Sequence, residues 1–444
     1  MQSLDAQSVA TILPAAAATF GVAPVDLNLV IAGYFAGAAA FLPMSGWCAD
    51  RFGVQRVFRW AICGFVLGSL VSCLAPNAAL LVTGRVIQGV SASGLMPIGR
   101  LLLVRTSEPG ELVQRLTWLT VPPLIGPLVG PALAGVLATY FTWRAMFLIS
   151  LPVGAVGYVL IRRYIPNLRD PTRPPLDVPG ALLAGTGLSA AVAGLGHLAS
   201  AGPTVAGMGL LALTLTCAAG YAWHARRAER PILDFRLCRI PSFNASVIGG
   251  IPFRLSAAAD PFLYALLFQV GLGMSAALSG TLVTAASIGA LAMKTTVPSL
   301  IRRFGFRRLL LVNGFLCAVL AALPAAFTQQ TPLALIVTVL LARGFFRSLQ
   351  LTSLNALTYA DPPPGQVSAA ASLAATVQQL AQALSIAAAA ALIGAIAAMA
   401  PQAPSRLSVA VAILVLTAVS LLSLPVLARL PADAGVAISG ARRE

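Results

Sequence analysis

GWCADRFGVQR (Gly46 to Arg56) closes one apolar run, residues 28–49, and opens the next, residues 57–76. Each run is long enough to cross hydrocarbon as a helix, which takes about 20 mostly apolar residues. Asp50, Arg51 and Arg56 are too costly to place against lipid without partners. The stretch therefore reads as a tight polar turn between two membrane helices. Gly46 permits close helix approach, Gly53 permits the turn, and the arginines hold it in the cytoplasm. A second copy lies far along the chain: SLIRRFGFRRLL (Ser299 to Leu310) repeats Arg-Phe-Gly followed by more arginine.

Counting outward from that turn gives further apolar runs. They lie at about 3–20, 79–102, 116–139, 144–163, 179–198, 204–224, 243–270, 276–297, 309–327, 332–354, 367–396 and 406–428. Barrel strands would be about 9–11 residues long and alternate in polarity. These runs are longer and continuous. The expected fold class is an all-α polytopic membrane protein with 14 transmembrane helices. The first run begins almost at Met1 and contains Asp5 and Pro14. With no Arg or Lys ahead of it, it does not read as a cleaved signal peptide. Either the natural start lies upstream or the helix begins at the interface. The ninth run, interrupted by Arg254 and Asp260, is either one long tilted span or a span with a broken end.

Composition agrees. The 444 residues are 58% hydrophobic and only 9% charged, against about 25% charged in an ordinary soluble domain. That excludes a water-borne enzyme and a disordered chain. The net charge of +16 does not signal nucleic-acid binding, because the basic residues, all arginine except Lys294, sit mostly in short turns between apolar runs. Twenty-one arginines fall on one set of alternate turns, and only Arg144 and Arg406 on the other. Cytoplasmic turns carry the basic excess, so both termini are expected in the cytoplasm. The six cysteines have no CxxC spacing, and His197 and His224 stand apart. No metal or cofactor is expected.

The runs group as an N-terminal six-helix bundle (1–163), a Pro-rich cytoplasmic linker (164–178) and two additional helices (179–224). A basic cytoplasmic segment (225–242), a C-terminal six-helix bundle (243–428) and a cytoplasmic tail (429–444) follow. Related halves are frequent in secondary transporters, with the solute site between them.

Three further stretches carry polar or backbone-bending residues. The fourth run holds GRVIQGVSASGLMPIGR, where Arg85 is deep enough to need a partner and Gln88 shares its helix. The fifth holds LTVPPLIGPLVGPALAG, where Gly126, Pro127, Gly130 and Pro131 make a kinked, closely packed helix. The twelfth holds ARGFFRSLQLTSLNAL, where Arg343, Arg347 and Gln350 fall at i, i+4 and i+7 and so share a face. Together with the turn Gly46, Asp50, Arg51 and Gly53, these stretches resemble the major facilitator superfamily. The likeness is closer to its fourteen-helix drug/proton antiporter branch, and within that to multidrug resistance proteins of the MdtD type. It covers nearly the whole chain.

The resemblance implies a conformational role for Gly46, Asp50, Arg51 and Gly53, and an antiporter motif at Gly126, Pro127, Gly130 and Pro131 associated with export. It implies proton coupling near Arg85. In the first run Asp5 matches a family carboxylate, although Gln7, Ser8 and Ala10 depart from the pattern around it. Asp260, at a position where the relatives are expected to carry an apolar residue, is a further carboxylate. Its possible partners are Arg85, Arg343 and Arg347. Arg254 lies six residues before it, about 9 Å of helix rise, too far for a tight pair on one straight helix. The proton-coupling candidates are thus Asp5, Arg85 and Asp260. The cavity candidates are Gln88, Arg254, Arg343, Arg347, Gln350, Gln379 and Gln382.

The reading that follows is a non-enzymatic, proton-coupled exporter of drug-like small molecules in the bacterial inner membrane. It would work by alternating access as a monomer among lipids, with protons as coupling ion and no ATPase partner. An excess of intramembrane arginine over carboxylate motivates an alternative, export of an anionic metabolite or metal chelate. A non-transporting receptor or scaffold on the same fold is the third reading.

Overall fold

The computed structural model describes residues 2–96, 98–99, 102, 122–168, 177–201, 204–228, 233, 235–358, 360–361, 367–399 and 406–431. No strand occurs among them. An apolar chain in lipid must satisfy its backbone polar groups internally, and a helix does so within one segment. The helices are α1 (Gln2–Phe20), α2 (Asn28–Phe52), α3 (Val54–Cys73), α4 (Ala78–Ala92), α5 (Pro122–Tyr140), α6 (Ala145–Tyr164) and α7 (Val178–Ala201). They continue as α8 (Val205–Arg227), α9 (Pro241–Gly271), α10 (Ala276–Ala292), α11 (Val297–Ala322), α12 (Leu333–Thr358), α13 (Val367–Met399) and α14 (Arg406–Ala428). Side-chain caps start several of them. Asn77 accepts from the Leu80 amide (2.9 Å), Thr204 from Gly207 (3.1 Å) and Ser275 from Leu278 (3.2 Å).

Among the described residues, nine helical segments are long and apolar enough to cross a membrane, and five more apolar segments, in α1, α2, α4, α5 and α10, are shorter. The chain is an all-helical, multi-pass membrane protein. α6 and α8 expose large apolar side chains such as Val156, Leu160, Leu215 and Trp223, the surface lipid would cover.

Of the two readings open for span nine the broken one holds, and one helix start needs correction. Span nine is broken: α9 turns at residues 248–250, resumes at Ile251 and widens into a π-turn at Leu267–Gly271. The Arg-Phe-Gly stretch after α10 is a one-residue turn between helical segments, as at Gly53, rather than a longer loop: helix begins at Val297, well before the expected residue 309, breaks at Gly305 (φ +67°, ψ 166°) and resumes to Ala322. One glycine absorbs the change of direction there, so arginine content alone misplaced the helix start.

The described residues include four glycines with positive φ: Gly21, Gly53, Gly273 and Gly305. They form two pairs, each 252 residues apart (21 with 273, 53 with 305). Both members of each pair follow corresponding elements, α1 with α9 in one case and the Arg-Phe motif in the other.

α1 packs on α5, α2 on α4, and α3 on α4 and α6. In the C-terminal part α9 packs on α13 and α14, and α12 on α10 and α11. The N- and C-terminal helices meet most extensively along two lines, α5 on α10 and α2 on α13, and α1 also touches α9 and α10. The first is close: a Cβ on Gly280 would run into the Pro131 carbonyl oxygen, and one on Gly135 into that of Ala276. Small residues let the helices touch through their backbones. α7 packs on α8 and lies against both α2 and α13. The largest apolar core includes Val9 and Leu13 of α1, Phe262 and Phe268 of α9, and Ile386 and Ile393 of α13.

Candidate functional site

Two buried carboxylate–arginine centres stand on corresponding helices. In the first, Asp5 of α1 pairs with Arg85 of α4, both fully removed from solvent. Arg85 also donates to Gln88 Oε1 (2.7 Å) and the Val30 carbonyl (3.1 Å), and its guanidinium lies 4.6 Å from the Tyr34 ring centre. Gln88 donates to Ser69 Oγ on α3 (2.7 Å) and reaches Asp5 Oδ1 at 3.5 Å. Charge, hydrogen bonds and an aromatic face together hold a guanidinium that lipid would not tolerate. Asp5 thus belongs to the interior rather than to a solvated interface.

In the second centre Asp260 of α9 sits 3.0 Å from Arg343 and 3.8 Å from Arg347, both of α12. Of the three partners open in the sequence, the fold brings two together and leaves Arg85 to Asp5. Arg343 is buried, whereas the Arg347 side chain is 23% exposed and also donates to the Ala257 carbonyl (3.2 Å). Arg254 does not pair with Asp260; it donates to Asn355 Oδ1 (3.0 Å).

A cavity of about 170 Å³ opens between the N- and C-terminal helices. Ala10, Ile31 and Phe35 line it from α1 and α2; Arg254, Phe262, Arg347, Gln378 and Gln382 are among those lining it from α9, α12 and α13. Of the cavity candidates, Arg254, Arg347 and Gln382 therefore reach the wall.

The others lie elsewhere. Gln379 is not among the lining residues. Gln378 takes the wall with Gln382, because i and i+4 share a helix face and a residue one position on is turned by about 100°. Arg343 is drawn behind the wall by Asp260. Gln350 is fully buried between α11 and α12, accepting from Asn313 (2.8 Å) and donating to the Leu310 carbonyl (3.1 Å). Gln88 belongs to the first ion-pair centre. The sequence had not singled out Ser69 or Asn313, although each is a polar residue in an apolar run, which by itself points inward.

The turn after α2 is clasped by the segment that follows α6. Gly53 has φ +97°, and a Cβ there would run into Asn167 Oδ1. The Val54 amide donates to the Leu168 carbonyl (3.0 Å), and Gln55 Nε2 donates to the Ile165 carbonyl (2.8 Å). Arg51 is exposed. Gly46 and Asp50 lie in α2, and the Asp50 side chain lies outside the described residues. Gly126, Gly130 and Pro131 are buried in α5, and the Pro127 side chain lies outside the described residues.

The described residues contain no cluster of His, Cys, Asp and Glu fit to hold a metal. The model of the Major Facilitator Superfamily matches residues 1–386. The chain belongs to this superfamily. It is 34% identical over 400 residues to the Cronobacter sakazakii protein named "Putative multidrug resistance protein MdtD", covering 89% of this chain and 84% of that one. The protein of the same name from Salmonella typhimurium matches with the same identity and coverage. A crystal structure of a POT family transporter in complex with 5-aminolevulinic acid superposes with a TM-score of 0.69 at 13% identity, covering 96% of this chain and 94% of that one. A crystal structure of a point mutant of the nucleoside transporter NupG gives 0.62 at 12%, covering 97% and 98%. Members of the superfamily are carriers rather than enzymes. This chain is accordingly a secondary transporter of small molecules in a bacterial inner membrane, with no ATPase partner.

Proposed function

We propose that the chain is a proton-coupled exporter of drug-like small molecules, of the fourteen-crossing drug/proton antiporter branch. The two buried carboxylate–arginine centres on either side of one cavity carry this reading. The nine long and five shorter apolar segments supply the fourteen crossings, with both termini in the cytoplasm and the protein working as a monomer. Bundles 1–163 and 243–428 rock about the cavity, residues 179–224 add the extra pair, and 164–178, 225–242 and 429–444 stay cytoplasmic.

Asp5 is the exchange carboxylate. When it takes a proton its attraction for Arg85 falls, and α1 is released from α4. A buried arginine left without a counter-charge is costly, so Arg85 shifts toward Gln88, Tyr34 and the Val30 carbonyl. Protonated and paired states therefore favour different packings of α1 against α4, and substrate and proton act as ligands of opposite conformations. Asp260 with Arg343 and Arg347 is the second proton-sensitive centre. Gly46, Asp50, Arg51 and Gly53 form the cytoplasmic latch, and Gly126, Pro127, Gly130 and Pro131 the packed seam that favours export. The name of the MdtD relatives supports the multidrug substrate class.

The experiment is accumulation of fluorescent drug-like compounds in everted membrane vesicles under an imposed pH gradient. The wild type should accumulate them and lose them when the gradient collapses. Asp5→Asn should abolish the proton response, and Asp260→Asn should alter it. Concentrative transport that persists without any ion gradient, or an unchanged response in both variants, would overturn the proposal.

A further inference from the structure

The central cavity has a mixed lining. Arg254, Arg347, Gln378 and Gln382 present guanidinium and amide groups. Ala10, Ile31, Phe35, Phe262, Leu351 and Ile386 are apolar. No Asp or Glu lines it among the described residues. Asp260 lies next to the wall, 3.0 Å from Arg343 and 3.8 Å from Arg347. One carboxylate facing two guanidinium groups leaves one positive charge, and Arg343 holds the shorter contact from a buried position. The excess charge therefore sits on Arg347, the one of the three that reaches the cavity wall.

We infer that the solute this cavity takes is a small amphipathic organic anion, its carboxylate or sulfonate against Arg347 and the Gln378 and Gln382 amides, its apolar body between Phe35 and Phe262. The inference rests on the transport reading above and names the substrate class of that same site. A cation bound there would meet Arg347 with no acid on the wall to offset it, in a setting where like charges are poorly screened. A neutral solute would leave the excess positive charge, one guanidinium beyond the shared Asp260 carboxylate, without an offsetting anion. An anion relieves that charge, and charge-assisted hydrogen bonds from guanidinium are among the stronger polar contacts. The cavity, below the roughly 300–1,000 Å³ of most ligand sites, restricts the body to about two fused rings.

One consequence separates the two ion-pair centres. Asp260 and the bound anion compete for Arg347, so a proton on Asp260 strengthens anion binding. Proton and anion thus favour one another at the second centre, and exchange of one for the other falls to Asp5.

The test is binding to the purified full chain in detergent, with no ion gradient, using three probes of one shape: 2-naphthoate, 2-naphthamide and 2-naphthylmethylammonium. Naphthoate should bind at least about tenfold more tightly than either analogue, the scale of one hydrogen bond to a charged group. Arg347→Gln should remove that preference and Arg347→Lys should keep most of it. Asp260→Asn should tighten naphthoate binding several-fold. If Arg347→Gln does not fold, Gln382→Leu should still weaken naphthoate and leave the amide unchanged. Tighter binding of the ammonium probe, equal binding of naphthoate and its amide, or no naphthoate binding would overturn the inference. Because no gradient is present, any of these results would leave proton-driven transport standing. Loss of the proton response in vesicles with naphthoate binding intact would instead remove the coupling reading.

Discussion

Asp260 and Arg343 approach to 3.0 Å across the α9–α12 contact, both almost wholly withdrawn from solvent. Removing one partner of such a pair strands the other's charge, at a cost of about 3–5 kcal/mol, whereas replacing both by apolar residues is often neutral. Asp260→Asn should therefore lower the thermal unfolding temperature in detergent markedly, and Asp260→Leu combined with Arg343→Met should recover much of the loss. Additive effects in the double-mutant cycle would show that the two residues do not act as a pair.

Arg85 uses one guanidinium for Asp5, Gln88, the Val30 carbonyl and the Tyr34 ring. A lysine ammonium keeps the charge but not the planar fork. Arg85→Lys should reduce proton-driven transport by about tenfold or more, the scale of losing one or two charged hydrogen bonds. Transport by Arg85→Lys at the wild-type rate would mean that charge alone suffices.

At Gly53 two restraints coincide, φ of +97° and the Asn167 side chain standing where a Cβ would go. A left-handed conformation costs a non-glycine residue about 1–2 kcal/mol, and the overlap adds to it. Gly53→Ala should destabilise the protein and slow transport. Adding Asn167→Ala should recover only the steric part, read from the two unfolding temperatures. Full recovery would assign the whole effect to Asn167.

The orientation of the chain is testable at two exposed positions, Arg162 at the end of α6 and Phe141 between α5 and α6. In a cysteine-free background, R162C should react with an impermeant maleimide only from the cytosol and F141C only from the outside. The opposite labelling would invert the topology.

The helical runs were legible because lipid leaves an apolar chain little choice: its backbone must pair internally, and about 20 residues span the gap. Rotational phase was not legible. Gln378 and Gln379 are adjacent and chemically identical, yet α13 turns Gln378 rather than Gln379 to the cavity, which the contacts of α13 with α2, α7 and α9 decide. The partner of Asp260 was equally open, since three arginines satisfied the chemistry and only the fold brings two of them near. The arginines around Gly305 marked a turn that the fold does contain, but composition cannot reveal that it is a single glycine with positive φ between two helical segments rather than a longer loop.

α7 rests against α2 and α13 together and so covers one of the two lines where the N- and C-terminal helices meet. Along the other, α5 and α10 touch directly, and α1 lies against both. One seam is thus bolted through a third element, while the other holds by direct contact of Gly280 with the Pro131 carbonyl, so a bulkier side chain at position 280 would wedge the halves apart there and leave the α2–α13 seam in place.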